Sequence, residues 1–150
     1  MAQSLSNVLV HIVVSTKNHR PLITERIGGE LYAYVMSIFS SHNCPVVRIG
    51  GWNDHVHILC NLARTISISE LMEQFKSSSS KWIKTKGPEF ESFYWQSGYG
   101  IFSVSQSNAK TVAAYIERQA DHHRKLSFKD EFRIFLKKHN ISFDERYVWD

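Results

Sequence analysis

Two histidines two residues apart, His55 and His57 in Asp54-His55-Val56-His57-Ile58-Leu59, constrain both the element they sit on and the way it faces. In a strand, side chains at i and i+2 leave the same face, so both imidazoles point one way while Val56 and Ile58 point the other, into packing. Far downstream, Tyr115-Ile116-Glu117-Arg118-Gln119 reads as helix, with Tyr115 and Gln119 one turn apart on a shared face. Laid over the strand, such a helix sets two ring nitrogens and an amide oxygen around a divalent ion, with a phenolic oxygen beside it. These are the parts for tyrosine attack on a phosphodiester.

The pattern around them supplies a sheet. Asn7 to Ser15 is β-branched and apolar on both faces, as in a central strand. A helix capped by Thr24 follows, with Ile27, Leu31, Tyr34, Val35, Ile38 and Phe39 at the 3.6 period, weakened early by Gly28-Gly29. Pro45 to Gly51 and His55 to Leu62 form a hairpin through Trp52-Asn53-Asp54. Ser67 or Ser69 caps a second helix, which Lys86-Gly87-Pro88 stops. Ile101 to Val104 makes the fourth strand, Ser107 or Asn108 caps the tyrosine helix to about His123, and a last helix spans Phe128 to His139. The expected fold is α+β, a ferredoxin-like β-α-β-β-α-β sandwich with an antiparallel sheet plus C-terminal helices. Both crossover helices share one sheet face and the other face is free.

At 150 residues the chain is the size of one domain, 1–150. A net charge of +4 mildly favours a polyanionic partner. Two cysteines make no disulfide framework, and the opening residues carry no secretory layout, so the expected location is cytoplasmic, at the nucleoid, with no membrane partner. Lys76, Lys81 and Lys84, with Arg118, Arg124 and Lys125, form two basic clusters flanking the site, the candidate DNA-binding residues; Trp52, Trp82, Tyr94, Trp95 and Tyr99 accompany them as rings on which bases can stack. Cys60 leaves the strand face opposite His57, which argues against a His-His-Cys zinc site. Mixed nitrogen and oxygen donors suit Mn²⁺, Ni²⁺ or Co²⁺ and tolerate Mg²⁺ when phosphate supplies further oxygens, and the expected ion is Mg²⁺ or Mn²⁺. His122 and His123 fall seven and eight positions after Tyr115, back near its face, where they could touch metal or phosphate; the reading favoured is that they partner a helix C-terminus. No phosphate-cradling Gly-x-x-x-x-Gly-Lys run is present, so the expected chemistry uses no nucleotide triphosphate.

Taken jointly, these residues resemble the single-tyrosine HUH transposases, the small enzymes of the insertion-sequence-200/605 group and their repeat-associated relatives. His11 to Lys17 resembles the opening strand, Asp54 to Leu59 the His-hydrophobic-His motif, and Trp95 to Gly100 with Phe102-Ser103-Val104 the last-strand segment. Tyr115 to Gln119 with His122 to Lys125 resembles the catalytic helix. The resemblance implies metal on His55, His57 and Gln119, and attack by Tyr115 on single-stranded DNA with hairpin ends. It also implies a 5′-phosphotyrosine intermediate and a homodimer joined by sheet edges, in which the tyrosine helix of one subunit can serve the histidines of the other. Two other readings are a non-catalytic hairpin-binding module for single-stranded DNA or RNA, marked by salt-dependent binding without cleavage, and a metal-dependent phosphoesterase that turns over without a covalent adduct.

Overall fold

The computed structural model describes residues 2–150. Strand β1 (Leu9–Ser15) leads into α1 (Glu25–Ser41), the hairpin β2 (Val46–Gly51) and β3 (His55–Asn61), then α2 (Ile68–Lys84) and β4 (Gly100–Val104). Three helices close the chain: α3 (Ala109–Glu117), α4 (Gln119–His122) and α5 (Phe128–Lys138). The strands form one antiparallel sheet in the order β2-β3-β1-β4, the layout expected from the sequence.

The period-two alternation divides the residues of the central strands between two cores. Val10, Ile12 and Val14 of β1 join Val56, Ile58 and Cys60 of β3 against α1 and α2, where Leu31, Phe39 and Phe75 are fully buried. Trp95 belongs to this core, and its indole N–H donates to Ser79 Oγ at 2.9 Å. Ser67 and Ser127 cap α2 and α5 by accepting from the backbone N–H of Glu70 and Asp130. Thr24 and Asn108 hold the expected cap positions of α1 and α3 without a side-chain bond.

The second sheet face is covered, contrary to the expectation that it is free. Leu9 and Leu59 pack on Ile116 of α3, while Val13 and Phe102 pack on Phe128, Phe132 and Leu136 of α5. A central strand apolar on both sides has to be covered on both, since each large apolar side chain left in water forfeits about 1.5–3 kcal/mol. Two glycines let the helices come close. A Cβ on Gly50 would stand 2.7 Å from the carbonyl oxygen of Ile116, and one on Gly100 would stand 2.5 Å from the ring of Phe132.

The tyrosine helix also differs from the continuous segment expected. It breaks at Arg118 (φ −97°, ψ 21°), so Tyr115 lies on α3 and Gln119 opens α4. Among the described residues, no helix is long and apolar enough to cross a membrane.

Candidate metal centre

Strand alternation puts His55 and His57 on the second face, where β1 pairs Ser15 with His55 and Val13 with His57. Both imidazoles are fully buried under the C-terminal helices. His55 Nδ1–H donates to Asp54 Oδ1 at 2.7 Å, which fixes the ring and turns Nε2 inward. His57 Nδ1 lies 2.8 Å from Nε2 of His11, one strand over, so its Nε2 also faces inward.

Two oxygens and a third imidazole meet these nitrogens. Gln119 Oε1 lies 2.9 Å from His55 Nε2 and 3.0 Å from His123 Nε2. Glu131 Oε1, carried in by α5, lies 2.9 Å from His57 Nε2, 3.2 Å from His123 Nε2 and 3.4 Å from His55 Nε2. The ligand atoms of His55, His57, His123 and Glu131 all fall within 4.8 Å of one another. The Tyr115 hydroxyl donates to Glu131 Oε2, which also accepts from Gln119 Nε2 at 3.3 Å. The phenol is therefore one carboxylate away from the histidines of its own chain, with its ring 5.8 Å from that of His57.

Burial and charge set the protonation of the group. Burial, the largest influence on His55, disfavours its cation, but hydrogen bonds to Asp54 and Glu131 and the charge of Glu131 outweigh it and lift the imidazole to about 9. Burial dominates at His57 and lowers it to about 4, so it is neutral at ordinary pH. For Glu131, burial favours the acid, yet hydrogen bonds from His123, His55 and His57 hold it far below the usual carboxylate range. Burial, then the adjacent Glu131 charge, pushes the Tyr115 phenol well above its ordinary value. A carboxylate, an amide oxygen and three imidazoles converging on one spot are chemically suited to a divalent transition ion.

The structure gathers His55, His57, Gln119 and Tyr115 as their sequence pattern anticipates. For His123 the less favoured of the two sequence readings holds: it is a member of the cluster, not only a partner for a helix end, because the break at Arg118 still leaves it one turn beyond Gln119. Asp54, His11 and Glu131 were not anticipated. Cys60 is buried in the opposite core, as expected from its register.

The six basic candidates separate. Arg118, Arg124 and Lys125 are exposed, and of the three Arg118 lines, with Lys110, Tyr115 and His122, a cavity of about 470 Å³. Lys81 and Lys84 do not flank the site as expected: α2 packs on the other sheet face, because its apolar stripe meets the Val56 and Ile58 side. Lys76 Nζ donates to the carbonyls of Gln96, Ser97 and Gly98 at 2.8 to 2.9 Å, and burial lowers its pKa to about 8. Among the rings, Tyr94 and Trp52 remain exposed, while Trp82 stacks on Tyr34.

Comparison with known proteins gives a family and a fold. A family model described as "Transposase IS200 like" matches residues 4–119. ISDra2 transposase TnpA of Deinococcus radiodurans is 21% identical over 116 residues, which cover 74% of this chain and 83% of that protein. The crystal structure of a proposed transposase from Deinococcus radiodurans aligns with a TM-score of 0.62 at 19% identity, covering 79% of this chain and 98% of that one. A REP-associated tyrosine transposase bound to a REP hairpin aligns with a TM-score of 0.61 at 11% identity, covering 82% of this chain and 72% of that one.

Proposed function

This chain belongs to the IS200-like transposase family, and from that premise we propose that it cuts and rejoins single-stranded DNA by metal-assisted attack of Tyr115. The observation that carries the reading is the linkage of the Tyr115 hydroxyl, through Glu131, to the imidazoles of His55 and His57 within one chain. His55, His57 and Gln119 would hold a divalent ion, which when bound supplies positive charge to a phosphate oxygen in the transition state. Asp54 and His11 orient the two imidazoles from behind.

Tyr115 is the nucleophile. Its oxygen forms a bond to phosphorus as the 3′ oxygen of the neighbouring nucleotide leaves, giving a 5′-phosphotyrosine and a free 3′-OH. The phenol proton departs in this step toward Glu131 Oε2, which accepts the hydrogen bond of the hydroxyl, and the leaving 3′ oxygen takes up one proton to become the free 3′-OH, so the exchange is proton-neutral. Reversal of the same exchange reseals a strand without a nucleotide triphosphate. DNA approaches from the Lys110, Arg118 and His122 cavity, where the basic side chains neutralise its phosphates. The substrate is single-stranded DNA with a hairpin end, a reading supported by a structure of similar fold that is bound to a REP hairpin. Exchange of two strand ends needs two nucleophiles, which a homodimer provides.

The test incubates the protein with single-stranded DNA from the flanks of its own gene and Mn²⁺ or Mg²⁺. A covalent protein–DNA adduct that resists denaturing electrophoresis and is absent in Tyr115→Phe is the expected result. No adduct, or one undiminished in that variant, refutes the proposal.

A further inference from the structure

We propose that Glu131 and His123, both beyond the family match that ends at residue 119, are ligands of the ion, so that this chain completes its own metal site with its C-terminal helix. The inference rests on the functional reading above and adds two residues to it.

Two ligand atoms each about 2.1 Å from one ion stand about 3.0 Å apart at a right angle and about 3.4 Å apart at a tetrahedral angle. Glu131 Oε1 lies 2.9, 3.2 and 3.4 Å from Nε2 of His57, His123 and His55. Gln119 Oε1 lies 2.9 and 3.0 Å from Nε2 of His55 and His123. These five nitrogen–oxygen separations match those between neighbouring ligands of one ion, and the ligand atoms of the three histidines and Glu131 all lie within 4.8 Å of one another.

Phe128, Phe132 and Leu136 form the stripe that buries α5 against Val13 and Phe102. Glu131 falls inside this stripe and is 1% exposed, where a helix that only packs would carry an apolar side chain. A buried carboxylate is stable when paired with charge, and a divalent cation is the strongest such partner.

Two imidazoles and an amide bring no formal charge to a buried divalent ion, and the carboxylate of Asp54 is engaged by His55 Nδ1. Glu131 is the anion that faces the inward nitrogens. With it and His123 the donor set becomes three nitrogens and two oxygens, which favours Mn²⁺ and later transition ions over Mg²⁺.

The experiment titrates the full chain with Mn²⁺ alone, and separately with Mg²⁺ alone, by calorimetry and by Mn²⁺ spin resonance. Variants are Glu131→Ala, Glu131→Gln, His123→Ala and His55→Ala, each with a thermal melt as a folding control. The expected result is one Mn²⁺ per chain, bound more tightly than Mg²⁺ and weakened at least about tenfold by Glu131→Ala and by His123→Ala. Glu131→Gln, which keeps the shape and an oxygen but removes the charge, falls between wild type and Glu131→Ala. Binding lost in His55→Ala but unchanged in Glu131→Ala overturns this inference and leaves the histidine pair in place. Tighter binding in Glu131→Ala also overturns it, since the carboxylate would then occupy the place of the ion. Absence of binding to the wild type overturns both this inference and the functional reading.

Discussion

Metal uptake by this chain is coupled to loss of a proton from His55. In the metal-free protein its imidazole is raised to about 9, held by Asp54 and Glu131 against the opposing effect of burial. An ion on Nε2 requires that nitrogen unprotonated, so proton and ion compete at every pH below that value. At about pH 7 the proton wins by roughly two decades, and apparent affinity is about 100-fold below its limiting value; at about pH 8 the deficit is about tenfold. His57 adds little to this slope because burial already keeps it neutral, near 4. Calorimetry at about pH 7 and about pH 8, in buffers of different protonation enthalpy, is expected to show close to one proton released per ion and a tenfold gain in affinity. Asp54→Asn removes one of the anionic partners of His55, lets the imidazole fall toward its ordinary value and flattens the slope. An affinity that is level across this interval, or binding with no proton released, refutes the assignment of His55 as a protonated ligand.

Two further substitutions test how the site is built. Gly50→Ala places a Cβ 2.7 Å from the Ile116 carbonyl oxygen, lifting α3 and with it Tyr115; a loss of about 1–3 kcal/mol and a lower adduct yield are expected, and an unchanged melting point and yield would count against the close approach. Lys76→Met deprives the carbonyls of Gln96, Ser97 and Gly98 of their donor and is expected to cost about 1–3 kcal/mol in chemical denaturation. It should leave the salt dependence of DNA binding unchanged, whereas Arg118→Ala should lower the slope by about 0.7 on a single strand. Stable protein with a reduced slope in Lys76→Met would make that lysine a DNA contact instead.

The parts of this structure that are readable in the chain are those encoded within one element. Strand β3 is legible because alternation alone decides that His55 and His57 share a face while Val56, Ile58 and Cys60 share the other. Tyr115 and Gln119 are legible for the same local reason, one turn apart, and the break at Arg118 does not separate them enough to matter. Lys81 and Lys84 mislead because charge clusters report exposure and not which side of a sheet a helix occupies; only the docking of the α2 stripe decides that. His11 reaches His57 across a strand register that no local pattern states. Glu131 is a different case, since its signal is present. Phe128, Glu131, Phe132, Phe135 and Leu136 follow the 3.6 period as one stripe with a carboxylate at its second position. An acid placed where packing calls for an apolar side chain marks a helix that covers a polar site. The free second face expected for the sheet conflicts with that stripe and with a first strand apolar on both sides. α5 and β1 specify each other as partners, and each brings a buried polar side chain to the site between them, Glu131 from the helix and His11, behind His57, from the strand.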